Sequence, residues 1–304
     1  MEWVGKDIIS ILDFKKEDLL QLFEVADCIK DKGKIMDKKI VATAFFEPST
    51  RTRLSFSAAA QRLGAAVLDL NPQASSLIKG ESISDTLKML DSYADLLIIR
   101  SQYEGAAKLA ADLCTHPIIN AGDGSQQHPT QAMIDLYTLI KMKGNIENQS
   151  IGLFGDLKYG RAATSFMYAL GIFGVKQITA IAPEALMPRT EVIKELGRLG
   201  VDVKFSNSIE QEIGNLDVIY VTRIQKERFP DVSEYEKVRG VYKLTLPNIA
   251  FAKEGMIIMH PLPRVDELDV EIDKTEHAAY FNEAANGIPI RMALMSIISG
   301  VLNG

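Results

Sequence analysis

The stretch KIVATAFFEPSTRTRLSFSAAAQRLG, residues 39–64, decides the fold of the first half of the chain. It opens with a short, apolar, β-rich run that is typical of a buried strand. From Arg53 to Leu63 it is rich in Ala and Leu and stops at Gly64, which predicts a helix with a glycine cap. The polar segment STRT, residues 49–52, therefore falls where a strand ends and a helix begins.

A strand-to-helix junction of this kind favours an anion, because the first N–H groups of the helix are unpaired and its dipole attracts negative charge. The hydroxyls of Ser49, Thr50 and Thr52 add hydrogen-bond donors. The guanidinium of Arg51 adds a planar fork that suits phosphate. The segment thus predicts a phosphate site, with an ordinary Ser/Thr cap followed by surface arginines as the open alternative.

The bulk composition limits the classes of function. At 304 residues the chain has room for two domains, and 34 Lys and Arg against 40 Asp and Glu give a net charge of −6. This charge argues against a nucleic-acid partner. Cys28 and Cys114 lack metal-ligand spacing and predict buried free thiols in a reducing cytoplasm. We expect neither a signal peptide nor a membrane span.

Short apolar runs alternate with amphipathic helical patterns from end to end. The first half predicts strands over 40–46, 66–70, 96–99 and 117–120, and the stretches SIGLFGD, KQITAIAP, VDVKFS, LDVIYVT and GMIIMHPLP predict a second series. This alternation predicts two doubly wound α/β domains with mostly parallel sheets. The polar stretch 143–150 marks the junction, so we expect one domain over 1–143, joined by a C-terminal helix at 288–304, and a second over 144–287.

Cations and amides follow the predicted strands, at the carboxyl ends where open α/β sheets bind ligands. The candidates are Arg100, His128, Gln131, Arg161, Arg223, Gln225, Arg228 and the stretch His260–Arg264. Because five such segments occur in two domains, they predict an interdomain active-site cleft for a small, highly anionic substrate. The sequence has no nucleophile elbow, Walker loop or metal-binding helix, and its four histidines do not pair at ligand spacing. We therefore expect no metal and no cofactor.

The motifs FFEPSTRTRLSF, KGESISDT, GDGSQQHPTQ, GDLKYGR, TRIQKERF and MHPLPRVDE occur in this order along nearly the whole chain. Together they resemble the aspartate/ornithine carbamoyltransferase family. The STRTR segment is shared by both branches of that family. HPLP at residues 260–263, KGE at 79–81 and TRIQKER favour the aspartate branch, because ornithine enzymes have a segment like HCLP.

The resemblance implies attack of the aspartate α-amine on the carbonyl carbon of carbamoyl phosphate, an early step of pyrimidine synthesis. It implies one set of residues for carbamoyl phosphate: Ser49, Thr50, Arg51, Thr52, Arg100, His128 and Gln131. Of these, Thr52, Arg100 and His128 would stabilise the carbonyl oxygen in the transition state. It implies a second set for aspartate: Arg161, Arg223, Gln225 and the main-chain carbonyls of Pro261 and Leu262. No side chain is an evident general base, so we expect the departing phosphate to accept the proton.

The resemblance also implies a homotrimer, in which Ser75 and Lys79 reach the active site of the adjacent subunit. It implies that Glu47 pairs with Arg161 and Arg228 when the domains close, with 234–245 as a mobile loop. Separate regulatory chains remain open. Two other functions also remain open: carbamoyl transfer to another amine such as ornithine, and an anion-binding protein without activity.

Overall fold

A computed structural model of the chain describes residues 3–225, 231, 233 and 242–302. The chain forms two compact units, one of Met1–Met133 with Asn286–Gly304 and one of Ile134–Ala285. Both boundaries fall inside helices, at 133/134 and at 285/286. The boundaries that the sequence suggests, at 143/144 and 287/288, stay a prediction about the functional domains.

The first unit alternates strands and helices from residue 40 onward. Its strands are β1 (Ile40–Phe45), β2 (Ala66–Leu70), β3 (Leu96–Ser101) and β4 (Ile118–Asp123). Its helices are α1 (Lys16–Cys28), α2 (Thr50–Arg62), α3 (Ile83–Asp91), α4 (Ala106–Leu113) and the start of α5 (Pro129–Lys143), with 3-10 turns at Ile11–Asp13, Ile29–Asp31, Pro72–Ala74 and Ser76–Lys79.

The four strands of the first unit form a parallel sheet in the order β2-β1-β3-β4. The chain moves from β1 outward to β2 and then returns to the other side of β1 with β3, so the sheet reverses direction between β1 and β3. A crevice opens at such a reversal beyond the carboxyl ends of the two strands. The register pairs Phe45 with Arg100, which brings the ends of β1 and β3 level at this point.

The second unit repeats the same plan with five strands. They are β5 (Ile151–Gly155), β6 (Gln177–Ile181), β7 (Asp202–Ser206), β8 (Val218–Thr222) and β9 (Ile257–Met259). The helices are α6 (Arg161–Ile172), α7 (Thr190–Arg198), α8 (Ile209–Glu212), α9 (Leu246–Ile249) and the start of α10 (Tyr280–Ile298), with 3-10 turns at Glu184–Leu186, Ile213–Asn215 and Val270–Lys274.

The second sheet has the order β7-β6-β5-β8-β9, and its paired strands are parallel. Its reversal lies between β5 and β8. Every residue of β5 and of β8 is buried, as expected for the central strands of a sheet covered on both faces. The prediction of two doubly wound α/β domains with mostly parallel sheets is confirmed.

Two sequence predictions differ from the structure. The C-terminal helix was expected over 288–304, but α10 begins at Tyr280 and contains Pro289 within it. A proline is usually read as a helix start, and here the packing of the preceding turns overrides that preference. The thiols were expected to be buried, but Cys28 is exposed at the end of α1 and Cys114 is only half-buried. No described helix is long and apolar enough to cross a membrane.

Candidate active site

The predicted phosphate turn, residues 49–52, lies at the start of α2, at the reversal point of the first sheet. The structure starts this helix at Thr50, three residues before the predicted Arg53, so Thr50, Arg51 and Thr52 are its first residues. Ser49 stands at the N-cap in extended conformation. Across the described residues, the Ser49 side chain makes no capping hydrogen bond to the helix. The capping bond that an ordinary Ser/Thr cap would make from Ser49 is therefore not seen in this turn.

The charge distribution of this turn favours an anion. Among the described residues, the first turns of α2, α5 and α6 carry no acidic side chain, whereas those of α1, α3 and α7 do. Acidic side chains in a first turn stabilise a helix through its dipole. The helices that follow β1, β4 and β5 are α2, α5 and α6, and they lack this stabilisation. They begin at the strand ends where a ligand would lie, so the positive ends of their dipoles favour an anion there.

The two arginines of STRTR have different surroundings. Arg53 donates two hydrogen bonds to Asp69 of β2, one of them from Nε to Oδ1 at 2.8 Å. Asp69 also accepts a bond from the Thr43 hydroxyl at 2.6 Å. Arg53 is thus held in an ion pair with Asp69, whereas Arg51 is exposed at the start of the helix.

Arg100 joins the phosphate turn to the end of the neighbouring strand. It sits where the pairing of β3 with β4 shifts between Ile99 and Ser101, an irregularity that redirects a side chain. Its Nε donates to Glu47 Oε1 at 2.8 Å, and its Nη1 lies 3.4 Å from Thr52 Oγ1 and 3.3 Å from the Ala121 carbonyl oxygen. Two of the three predicted carbonyl-stabilising residues, Thr52 and Arg100, are therefore neighbours.

His128 is the third of these residues and is buried at the start of α5. Its carbonyl oxygen accepts from the Gln131 N–H at 3.0 Å, and its Nδ1 lies 3.5 Å from the Thr130 hydroxyl. The loop before it is fixed by Asn120, whose amide donates to Asp123 Oδ1 at 3.1 Å.

Ser75 and Lys79, the residues expected to act in the adjacent subunit, lie on the connection from β2 to α3. Ser75 Oγ accepts from the Leu77 N–H at 3.3 Å and donates to the Pro72 carbonyl at 2.9 Å. Lys79 is exposed and ends the 3-10 turn, followed by Gly80 at φ 94°. The connection is thus a small ordered turn that presents the Lys79 ammonium to solvent.

The second unit places its candidates at the reversal point of its own sheet. Arg161 is buried at the first position of α6, after β5, while Arg223 and Gln225 follow β8 and are half-buried. The loop 156–160 joins β5 to α6, and its backbone at Gly160 lies close to its backbone at Asp156. A Cβ atom on Gly160 would lie 2.5 Å from the Asp156 carbonyl oxygen, so only glycine fits there.

Asp156 organises these two strand ends and was not among the predicted site residues. Its Oδ1 accepts from the N–H groups of Lys158 and Tyr159 at 3.2 and 2.9 Å, and its Oδ2 accepts from the Gln225 N–H at 3.2 Å. The residue is fully buried. Burial raises the pKa of Asp156 to about 6, although the backbone N–H groups and the nearby Arg223 act to lower it.

The stretch HPLP forms a fixed loop after β9. Leu262 has a left-handed backbone with φ 53°, which costs a leucine about 1–2 kcal/mol. Its N–H donates to His260 Nδ1 at 2.8 Å, so the ring proton is on Nε2, which donates to Glu267 Oε1 at 2.7 Å. Glu267 is buried, and burial raises its pKa, but hydrogen bonds from His260 and the Val265 backbone outweigh this and lower the pKa overall.

Sequence reasoning found the cations at the strand ends but missed the buried carboxylates Asp156 and Glu267, and it named Glu47 without its observed partner Arg100. Asp156 follows β5 directly, so the same positional rule applies to it. Glu47 and Glu267 lie in motifs that were quoted, but their partners depend on tertiary contacts. Arg228 lies outside the described residues, as does most of the expected mobile loop 234–245. No described group of three or more His, Cys, Asp or Glu is arranged to hold a metal ion.

Two family models match the chain. The model described as "Aspartate/ornithine carbamoyltransferase, carbamoyl-P binding domain" matches residues 6–141, and the one described as "Aspartate/ornithine carbamoyltransferase, Asp/Orn binding domain" matches residues 147–298. A curated relative from Hyperthermus butylicus, named aspartate carbamoyltransferase catalytic subunit, is 53% identical over 98% of this chain and 97% of its own. A relative of the same name from Korarchaeum cryptofilum is 54% identical over 96% of this chain and 97% of its own.

Solved structures show the same likeness. The catalytic subunit of M. jannaschii aspartate transcarbamoylase has a TM-score of 0.88 and 42% identity, covering 98% of this chain and all of its own. Aspartate transcarbamoylase from Trypanosoma cruzi in complex with carbamoyl phosphate and aspartate has a TM-score of 0.93 and 35% identity, covering 97% of each chain. The same enzyme is also known in complex with carbamoyl aspartate and phosphate.

Proposed function

The chain belongs to the aspartate/ornithine carbamoyltransferase family, and from this we propose how its residues carry out the reaction. The chain transfers the carbamoyl group of carbamoyl phosphate to the α-amine of L-aspartate, giving N-carbamoyl-L-aspartate and phosphate, an early step of de novo pyrimidine synthesis. The observation that carries this function is the near-complete match to relatives about half identical that are named for it.

The first turn of α2 binds the phosphate of carbamoyl phosphate in this proposal. Ser49, Thr50 and Thr52 supply hydroxyls, and Arg51 supplies a guanidinium beside unpaired N–H groups at the helix start. The Ser49 hydroxyl supports this role because it does not cap its own helix within the described structure. The same donors stabilise the phosphate as it departs.

The carbonyl oxygen of carbamoyl phosphate gains negative charge when the amine attacks the carbonyl carbon. Thr52, Arg100 and His128 donate to that oxygen in our proposal, and Gln131 binds the carbamoyl NH₂ through its amide oxygen. The short distance between Arg100 and Thr52 supports joint action on one atom. The new C–N bond forms, the C–O bond to phosphate breaks, and the departing phosphate takes the amine proton.

L-aspartate carries two carboxylates, and the second unit offers two arginines for them. We assign Arg161 and Arg223 to these carboxylates and Gln225 to a directional hydrogen bond. The carbonyl groups of Pro261 and Leu262 orient the amine. Ornithine carries a side-chain ammonium instead, which two arginines would repel. This argues against the ornithine reaction as the alternative function.

Carbamoyl transfer requires both sets of residues to engage their substrates together, and we propose that Glu47 pairs with Arg161 and Arg228 when this happens. We further propose a cytoplasmic homotrimer in which Ser75 and Lys79 complete the site of the adjacent subunit. Lys79 would bind both substrates there and Ser75 the carbamoyl phosphate. The exposure of the Lys79 ammonium supports this role. The designation of the relatives as catalytic subunits is consistent with separate regulatory chains and an allosteric assembly.

The test is product formation by the purified chain with carbamoyl phosphate and L-aspartate, with L-ornithine run in parallel. We expect carbamoyl aspartate and no citrulline. Citrulline as the main product would overturn the assignment of Arg161 and Arg223 to aspartate. The absence of both products would favour the remaining alternative, an anion-binding protein without activity.

A further inference from the structure

A chain of buried polar groups lies beneath the HPLP loop of the second unit, away from the residues assigned to the substrates. The Tyr220 hydroxyl of β8 donates to Asp135 Oδ2 of α5 at 2.9 Å. Asp135 is hydrogen-bonded to the carboxyl of Glu283, from α10. Glu283 Oε2 in turn accepts from the His260 backbone N–H at 2.8 Å, at the first residue of the loop. All four residues are 0–1% exposed.

Two carboxyl groups in contact inside a protein cannot both be ionised at low cost. Burial and the negative charge of Asp135 raise the pKa of Glu283 well above its ordinary value. The protonated Glu283 donates to Asp135 through its hydroxyl while its other oxygen accepts from His260. Asp135 also accepts from the Tyr220 hydroxyl, through Oδ2. This arrangement satisfies the polar groups of the pair with a single proton.

The backbone that Glu283 fixes leads directly to the carbonyl groups assigned to the amine. Leu262, two residues beyond His260, keeps its left-handed conformation through its hydrogen bond to the His260 ring. That ring is held on its other side by Glu267, which also accepts from the Val265 N–H at 3.1 Å. The loop is thus anchored at its entry by Glu283 and at its exit by Glu267.

We propose that Glu283, Asp135 and Tyr220 are positioning residues for aspartate carbamoylation, which hold the His260 amide so that the Pro261 and Leu262 carbonyls meet the attacking amine. The inference rests on the proposed function of that loop. Space-filling alone does not explain the network, because apolar side chains of similar volume would fill the same space without the cost of burying two carboxyls. What these carboxyls add is direction, because Asp135 Oδ2 accepts from the Tyr220 hydroxyl and Glu283 Oε2 accepts from the His260 N–H.

The test compares Glu283→Ala with Glu283→Gln in steady-state kinetics on the full chain, varying each substrate in turn. Glu283→Ala frees the His260 N–H, and we expect kcat/KM for aspartate to fall about 10²-fold while the KM for carbamoyl phosphate is kept. Glu283→Gln restores an acceptor for His260 and a donor for Asp135, so kcat/KM for aspartate should return to within a few-fold of the wild type. If Glu283 only stabilised the fold, Glu283→Ala would not affect aspartate selectively. Glu283→Gln would then not restore kcat/KM for aspartate.

Glu212→Ala is the matched control. It also removes a buried carboxylate of the second unit, but this carboxylate pairs with Lys204 at 2.6 Å, on the β7 side of the sheet. We expect it to leave kcat/KM for aspartate unchanged. If Glu283→Ala does not fold, Tyr220→Phe replaces it, because this change deletes only the hydroxyl that donates to Asp135. It should lower kcat/KM for aspartate to a smaller extent.

Three results would overturn the proposal: unchanged kcat/KM for aspartate in Glu283→Ala or its replacement, a KM for carbamoyl phosphate that rises as much as the KM for aspartate, or no rescue by glutamine. These outcomes are distinct from failure of the proposed function. If the wild-type chain formed no carbamoyl aspartate, the reaction assignment itself would be wrong. If the wild type were active and the Glu283 variants had the same kcat/KM for aspartate, only the positioning role would be contradicted.

Discussion

The guanidinium of Arg100 is paired with the carboxylate of Glu47, with Nε 2.8 Å from Oε1 and both side chains largely buried. This pair occupies one side of the guanidinium and leaves Nη1 beside the Thr52 hydroxyl and the Ala121 carbonyl. Glu47 thus sets the orientation of a group that we assign to the carbonyl oxygen of the substrate.

We expect Glu47→Ala to lower kcat, by less than the 10²–10³-fold that typically follows loss of a whole oxyanion donor, because Arg100 remains but is no longer held. Steady-state kinetics with saturating carbamoyl phosphate would measure this. Asp69→Asn is the control, since Asp69 also pairs with an arginine, Arg53, but at a more exposed site where such pairs contribute little. A loss confined to the KM for aspartate would instead favour the domain-closing role of Glu47.

His128→Ala should lower kcat by about 10²–10³-fold, because it removes one donor to the carbonyl oxygen. We expect the basic limb of the pH–rate profile to persist, since the departing phosphate and not His128 accepts the amine proton. The measurement is kcat against pH for the wild type and the variant. Disappearance of that limb would show that His128 is the general base.

The strand–turn–helix around residues 49–52 could be predicted from sequence because its information is local. A buried strand, four polar residues and an Ala-rich run define a strand–turn–helix, and the anion preference follows from the helix start alone. Even the starting residue of α2 was misplaced by only three positions, from Thr50 to Arg53. Arg161 and Arg223 were found in the same way, as cations after apolar strands.

The partners of these cations could not be predicted because they are distant in the chain. Glu47 and Arg100 are 53 residues apart, and the His260 amide and Glu283 are 23 apart. No periodicity encodes such pairs; they arise from the order of strands in each sheet. Glu283 also lies outside the C-terminal helix expected at 288–304, because α10 begins earlier, at Tyr280.

Mixing two inactive variants tests whether the active site is shared between subunits. Lys79→Ala lacks the cation that acts in the adjacent subunit, and His128→Ala lacks a donor in its own subunit. A mixed trimer would therefore contain some sites with both residues intact, and activity should reappear after the variants are dissociated and reassembled together. Each variant reassembled alone is the control. No recovery after proven subunit exchange would contradict the shared site.

The pH dependence of aspartate binding should reflect Asp156. Below its pKa of about 6 the carboxyl gains a proton that competes with the Gln225 N–H for Oδ2, and the end of β8 loses its anchor. We expect the KM for aspartate to rise as the pH falls through 6 in the wild type. Asp156→Asn places an amide there at every pH, so its KM for aspartate should be high and flat over this range. A wild-type KM that stays constant from pH 7 to 5 would contradict this role.

The same carboxyl should make a measurable contribution to folding stability. The pKa of Asp156 is about 6 in the folded chain, against 3.8 in the unfolded chain, so folding favours the protonated form. This contribution is fully present below pH 3.8 and is lost as the pH rises through 6, which amounts to about 3 kcal/mol at about 1.4 kcal/mol per pH unit. Asp156→Asn cannot titrate, and its free energy of unfolding relative to the wild type should therefore rise by most of this amount between pH 4 and pH 7. Denaturant titrations at the two pH values measure the difference, in which the other titrating groups cancel. A difference that does not change with pH would mean that Asp156 is ionised in the folded chain throughout and that its hydrogen bonds to Lys158, Tyr159 and Gln225 offset its burial.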